Sequence, residues 1–364
     1  MKVGLVSFWF NRGQATLGRH LRSALEGLGH ETFVLARPTR ERFVRPAHIE
    51  ERGVWAQPGV TPASSYEIPA IEYREWAQRN GLDAIFFFQN YQFAAIADLR
   101  KRGVVTFGCF MWESMRAQDV AGATEAYDVV YSLNHCSHER YLAWGLNSLY
   151  LGWGCHPELL AYRAAADDAR TTFLFPGGYM RPRRKLLRPV LEAFAALEDP
   201  DARLVVKAQN LPPREESIQD LVRADPRVQL IVGDPSLDYH RLFSSCQVLV
   251  APSGWEGLGL HLYEALAFGM PVVTNDAPPM NELVTDGYNG RLVASIPAGQ
   301  AKTGIAAMEV DAAEITPALR DLCRPARSER MARGALERAQ GEFAWERVIE
   351  RLEDVLQAGM VARA

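Results

Sequence analysis

A chain of 364 residues with net charge −4, 48% hydrophobic and 23% charged residues can fill two cores, and its charge argues against bulk nucleic-acid binding. No apolar run approaches a membrane span, and the opening MKVGLVSFWF runs into Asn11 and Arg12 rather than a cleavage-like site, so it reads as a strand and not a signal peptide. Cys109, Cys136, Cys155, Cys246 and Cys323 are odd in number and form no CxxC, which predicts free thiols in a reducing cytoplasm.

In chain order, KVGLVSF (2–8) is a strand, LGRHLRSALEGLGH (17–30) an amphipathic helix ending at Gly29, and ETFVLA (31–36) the next strand. Residues 37–70, rich in Pro and Arg, read as an irregular surface excursion. DAIFFF (83–88), GVVTFGCF (103–110) and YDVVYSL (127–133) are short apolar runs separated by helical stretches, the pattern of a parallel sheet covered on both faces. YRAAADDAR (162–170) is small, polar and weakly patterned, and reads as a linker between a first domain, 1–165, and a second, 166–345. The pattern then restarts: TTFLFPG (171–177), ARLVVKA (202–208), RVQLIVG (227–233), QVLVAP (247–252) and VVTN (272–275) as strands, with KLLRPVLEAFAAL (185–197) as a helix. FAWERVIERLEDVLQAG (343–359) is a final amphipathic helix. The fold class is α/β, two Rossmann-like domains with parallel sheets facing a central cleft, and open sheets of this kind bind ligands at the carboxyl ends of their strands.

The segment SGWEGLGLHLYEALAFGMPVV (253–273) carries the most chemistry. A buried strand is followed by a glycine turn, a helix from Leu258, and a stop at Gly269 and Pro271. A helix start behind glycines offers free backbone N–H groups and a positive dipole end, an anion site that a ligand can approach closely. Glu256 precedes it and Glu264 lies about 12 Å further along a regular helix. Two carboxylates flanking an anion site suit a nucleoside-diphosphate sugar, with hydroxyls at each end of a diphosphate. The same pattern is also that of an ordinary βαβ crossover with a solvated and a capping glutamate.

Further pieces fall in order around it: E-x7-E at Glu256 and Glu264, A-x-G-x-P-V-V after it, NELVTDGYNGRLV (281–293), and upstream Gly177-Gly178 with the basic run RPRRK (181–185) before a helix. Together these resemble the retaining glycosyltransferases of the GT-B fold, family-4 type (glycosyltransferases group 1), most strongly over residues 171–300. The resemblance implies that Glu256 faces the donor sugar, that the backbone of Gly257, Leu258 and Gly259 meets the distal phosphate, and that Glu264 binds the ribose hydroxyls. It implies that Arg184 and Lys185 hold the diphosphate, that Val232, Gly233 and Asp234 lie where the base binds, and that the final helix, about 346–364, crosses back onto the first domain. It also implies sugar transfer to an acceptor hydroxyl with retention, with no cofactor beyond the nucleotide-sugar substrate and no metal.

The chain departs from that family in two places. The loop FNRGQATLGR (10–19) has Gly13 but no glycine pair, leaving Asn11 and Arg12 as candidates for phosphate or acceptor contact. The strand VVTFGCF runs into Met111-Trp112-Glu113-Ser114 where many relatives carry a histidine. Trp112 and Glu113 either take that place, with Glu113 as the candidate for the acceptor hydroxyl, or cap the strand, with Glu113 a helix-start carboxylate. Asn90, Tyr91 and Gln92 are candidates to line the acceptor side. His135, Cys136, His138, Cys155 and His156 lack a standard zinc spacing. The arginines of RPTRERFVRPAH (37–48) read either as a solvated loop or as a basic surface for anionic lipid headgroups at the inner membrane face. A GT-B epimerase or phosphorylase and a non-catalytic nucleotide-sugar-binding subunit are the alternative functions.

Overall fold

The short apolar runs form strands buried on both faces, and their carboxyl ends position everything that follows. The computed structural model describes residues 1–40, 48–164, 170–181, 183–211, 216–233 and 238–363. The chain divides into two compact units, Met1–Trp153 with Glu346–Ala364, and Gly154–Trp345.

In the first unit β1 (Lys2–Phe8), β2 (Glu31–Arg37), β3 (Val60–Pro62), β4 (Ala84–Phe88), β5 (Val105–Cys109), β6 (Val129–Ser132) and β7 (Ser148–Tyr150) make one seven-stranded sheet in the order 3-2-1-4-5-6-7. Every pairing is parallel. β4 and β5 are buried throughout, as a sheet sandwiched between helices requires. The helices are α1 (Gly13–Gly27), α2 (Ala70–Asn80), α3 (Phe93–Lys101), α4 (Val120–Ala126) and α5 (His135–Ala143). The excursion after β2 is more ordered than its composition suggested. It supplies the edge strand β3, and Trp55 is buried there, accepting a 2.9 Å hydrogen bond from Trp9 Nε1 at its carbonyl. Arg37 is not part of a basic surface: it is buried and donates to the carbonyls of Tyr66 (2.7 Å) and Gln89 (3.3 Å). Residues 41–47 of that run lie outside the described residues.

The second unit repeats the scheme. β8 (Thr172–Tyr179), β9 (Arg203–Asn210), β10 (Val228–Val232), β11 (Val248–Val250), β12 (Val272–Asn275) and β13 (Gly290–Val293) form a six-stranded sheet in the order 10-9-8-11-12-13, again wholly parallel. Its helices are α6 (Leu187–Ala195), α7 (Glu216–Ala224), α8 (Tyr239–Ser244), α9 (Leu260–Phe268), α10 (Met280–Leu283), α11 (Ala312–Leu322) and α12 (Pro325–Gln340). An antiparallel hairpin, β14 (Ile296–Gln300) with β15 (Ala306–Glu309), follows β13. The sequence pattern gave no sign of this hairpin.

Residues 154–164, assigned from sequence to the first domain, pack with the second unit. Cys155 Sγ donates to Tyr263 O at 3.3 Å, Ala164 N to Phe268 O at 2.8 Å, and the Tyr162 ring sits 5.4 Å from that of Phe268. The middle of the expected linker, 165–169, lies outside the described residues. The last helix, α13 (Trp345–Val361), runs into the first unit. There Arg351 Nε donates to Leu151 O (2.6 Å), Arg363 pairs with the buried Asp128 carboxylate (3.2 Å), and Gly359 lies directly on the Phe107 ring.

A Cβ at 359 would run into that ring. Gly359→Val is therefore expected to lower stability by about 1–3 kcal/mol, measured as a fall in Tm and in denaturant midpoint.

Candidate active site

In each sheet the strand order reverses beside the first strand, between β1 and β4 and between β8 and β11. Loops leaving the carboxyl ends of strands at such a reversal diverge and leave a crevice for ligands. In the second unit those loops are 180–186, after β8, and 251–259, after β11. They carry Arg184, Lys185 and Glu256.

The two loops are laced together by main chain. Gly254 N donates to Arg184 O at 2.7 Å, Leu186 N to Pro252 O at 3.3 Å, and Lys185 and Ser253 form an antiparallel bridge. This contact demands glycine at 254, because a Cβ there would collide with the Arg183 carbonyl. Arg183 itself adopts φ +64°, left-handed for a residue with a side chain. The β14–β15 hairpin braces both loops. Met308 N donates to Gly254 O (2.9 Å), and the Arg183 guanidinium donates to Ala298 O.

The lacing brings three charges to one point. Lys185 Nζ is hydrogen-bonded to Glu256 Oε1, Arg184 Nη2 donates to Oε2 at 3.0 Å, and Ser253 Oγ donates to Oε1 at 2.9 Å. Asn275 Oδ1, at the end of β12, accepts from Ser253 N (2.9 Å) and fixes that residue. Lys185 and Glu256 are nearly closed to water, with side chains 9% and 5% exposed. Burial alone would raise the Glu256 pKa, but the Lys185 and Arg184 charges outweigh it and hold the carboxylate far below its ordinary range. Two cations thus converge on one carboxylate that is nearly closed to water.

Gly259 caps α9 with φ +78°, so the helix begins at Leu260 rather than at Leu258 as the apolar spacing suggested. Gly257 and Leu258 are buried in the turn before it. His261, in the first turn of α9, was not assigned a direction from sequence. Burial, aided by Lys185 and Arg184 and opposed by Glu256, pushes its pKa down to about 3, so the imidazole is neutral. Its Nε2 and Asn275 Nδ2 are buried with no hydrogen-bond partner among the described residues, polar atoms that a bound group could satisfy.

Glu264 sits apart from this cluster. Tyr239 OH donates to its Oε2 at 3.2 Å, and His240 Nε2 lies 3.7 Å from its Oε1. Gly233, with φ +77°, ends β10, and its carbonyl accepts from Lys207 Nζ at 2.9 Å. Asp234 lies outside the described residues.

The other sequence candidates belong to the first unit. Gly13 opens α1, with Arg12 as an extended N-cap. Glu113 lies half-buried with Trp112 in a turn beyond β5. Asn90 and Gln92 are structural rather than open to a ligand. Asn90 Nδ2 donates to Tyr73 OH (2.7 Å), while the Gln92 side chain is held by the backbone of Ile68 (3.2 and 2.7 Å). Tyr91 is partly exposed and donates to Gln89 Oε1 at 3.3 Å. His135 stacks on Tyr150 at 4.1 Å, and Cys136 Sγ donates to Asn134.

Residues 170–319 match the family model described as glycosyl transferases group 1. The second unit is a group 1 glycosyltransferase domain. The whole chain has the GT-B fold. Sucrose-phosphate synthase from Thermosynechococcus elongatus superposes with a TM-score of 0.73 at 18% identity over 100% of both chains. HepE from Anabaena, in complex with UDP-glucose, superposes with a TM-score of 0.74 at 14% identity over 98% of this chain and 100% of that one. A 45-residue stretch is 47% identical to the lipopolysaccharide core biosynthesis mannosyltransferase LpsB of Rhizobium meliloti (strain 1021), 12% of this chain and 13% of that protein. The match thus spans only a small part of that curated relative.

In this glycosyltransferase domain the residues that sequence reasoning missed are Ser253, Asn275, Tyr239 and His240. Only Ser253 was signalled, by its place beside the glycine turn. Gly254→Ala should push the Arg183 carbonyl aside and spread the two loops. The expected result is a loss of about 1–3 kcal/mol in denaturant unfolding.

Proposed function

We propose that the protein transfers a sugar from a nucleoside-diphosphate sugar to an acceptor hydroxyl with retention of configuration and without a divalent cation. The observation that carries this reading is the gathering of Lys185 and Arg184 with Glu256 beside the start of α9. When the bond from the sugar's anomeric carbon to the phosphate oxygen breaks, the leaving diphosphate takes the electron pair and gains negative charge. Two cations and a helix N-terminus already in place stabilise that charge with little reorganisation, the role a metal ion would otherwise fill.

The acceptor oxygen then bonds to the anomeric carbon on the face the diphosphate leaves, and its proton passes to a diphosphate oxygen. No protein nucleophile is needed. Glu256, ionised across the working pH range, accepts hydrogen bonds from the donor sugar and keeps the Lys185 ammonium oriented. Glu264 accepts from the ribose hydroxyls, and the exit of β10 at Gly233 receives the base. In the first unit, Gly13 is the candidate for approach of the donor diphosphate, and Glu113 and Tyr91 are the candidates for acceptor contacts.

We place the reaction in the cytoplasm, since all five cysteines are free thiols and three of them are buried. Among the described residues no helix is long and apolar enough to cross a membrane.

Turnover of UDP-, GDP-, ADP- and dTDP-sugars, followed as donor hydrolysis and as transfer to a panel of acceptor alcohols, tests this. Activity is expected to survive EDTA. Lys185→Ala should lower kcat by about 10²–10³-fold and change KM much less, while Glu264→Ala should chiefly raise the donor KM. Unaltered kinetics in both variants would refute the site assignment. Donor binding without turnover would make the protein a nucleotide-sugar-binding subunit.

A further inference from the structure

Glu264 is buttressed from one side. Tyr239 opens α8, which is capped by Asp238 through its hydrogen bond to Arg241 N (3.1 Å), and its hydroxyl donates to Glu264 Oε2 at 3.2 Å. His240, next along the same helix, places Nε2 3.7 Å from Oε1. Each carboxylate oxygen is therefore addressed by a different residue, Oε2 by a hydrogen bond and Oε1 by an ion-pair contact when the imidazole is charged, which orients the carboxylate. His240 is itself clamped by rings, with Tyr162 at 5.2 Å and Phe268 at 5.9 Å. A carboxylate left to rotate would serve one hydroxyl well. One fixed at both oxygens keeps a second acceptor site on each oxygen aligned for two neighbouring hydroxyls at once.

We propose that Tyr239 and His240 are positioning residues that lock Glu264 onto a vicinal diol, so that the protein selects ribonucleotide donors over 2′-deoxyribonucleotide ones. This rests on the donor reading of Glu264 given above. A 2′-deoxyribose presents one hydroxyl to a carboxylate held for two and forfeits a charge-assisted hydrogen bond, a discrimination of about tenfold or more.

The lock is sensitive to pH. Burial draws the His240 pKa down, but the Glu264 carboxylate, with Glu158 and Asp238 adding to it, raises it above the ordinary 6.5. The charged and titratable groups around the imidazole are thus Glu264 on α9, Tyr239 and Asp238 at the start of α8, Glu158 in the 157–161 turn, and Tyr162. A raised pKa means that the cation is the form favoured by these contacts. Its grip on Glu264 is complete below 6.5 and is lost as pH rises through the folded pKa.

Isothermal titration of the full chain with UDP, GDP and ADP and their 2′-deoxy counterparts, at pH 6 and pH 8.5, tests the proposal. In the wild type the ribo form should bind about tenfold more tightly at pH 6, with a smaller ratio at pH 8.5. Tyr239→Phe and His240→Gln should each weaken ribonucleotide binding severalfold and leave the deoxy form nearly unchanged, and His240→Gln should remove the pH dependence of the ratio. A role confined to packing would move both nucleotides together. If Glu264→Gln abolishes the discrimination while Tyr239→Phe and His240→Gln both retain it in full, the positioning inference is overturned and the donor reading stands. If Glu264→Gln leaves binding intact, or no nucleotide binds, the donor reading fails and this inference with it.

Discussion

A buried carboxylate held between two cations is the interaction on which the second unit's chemistry depends. Glu256 is almost wholly shut from water, and so is Lys185. Removing such charges from solvent costs several kcal/mol per ion, and only close geometry with further hydrogen bonds offsets it. Ser253 and Arg184 supply those bonds. Similar volume filled with apolar side chains would serve stability at least as well. A cluster of this kind, at the sheet's reversal point and beside a helix start, is more readily understood as a built binding site than as a stabilising device.

Its geometry is imposed by backbone. The loop after β8 and the loop after β11 approach so closely that position 254 admits no side chain, and Arg183 is forced into a left-handed conformation. Strain of that sort persists only where surroundings over-determine it. The β14–β15 hairpin helps to do so, through Met308 on one loop and Ala298 on the other. Side chains proposed to grip a shifting charge are thus mounted on main chain that has little freedom to yield.

The fold was legible wherever burial alone dictates sequence. Runs such as AIFFF and VVTN are apolar because both faces of a parallel sheet are covered, and they appear as strands where expected. Gly269 ends α9 in the left-handed conformation, as its place before Pro271 implied. Glu256, Arg184 and Lys185 could be picked out because glycine turns and a basic run mark loops at strand exits. Other features are fixed by partners distant in sequence. The β14–β15 hairpin has scarcely any inward face to reveal a period of two: Ile296 is largely exposed, and its order comes from the loops it braces. The strand Val60–Pro62 pairs with β2 on one side only, so its three residues carry no apolar run. Asn90 and Gln92 look like ligand-facing polar residues at a strand exit, yet their hydrogen bonds are taken up by Tyr73 and Ile68.

The two glutamates of the E-x7-E segment, one on the loop before α9 and one within the helix, differ in electrostatics. Glu256 is held by a lysine and an arginine, whose charges keep its carboxylate ionised despite burial. Glu264 is held by a phenol and an imidazole, neither of them a permanent charge. That asymmetry fits the roles proposed for the two carboxylates. Where charge develops during reaction, the surrounding field must not vary, because stabilisation there depends on preorganised charge. Where a neutral sugar is merely recognised, two adjustable donors suffice to orient a carboxylate, and the energy at stake is that of hydrogen bonds rather than of a leaving anion. The loop that leads into α9 can therefore carry a constant grip and the helix itself, through Glu264, a tunable one.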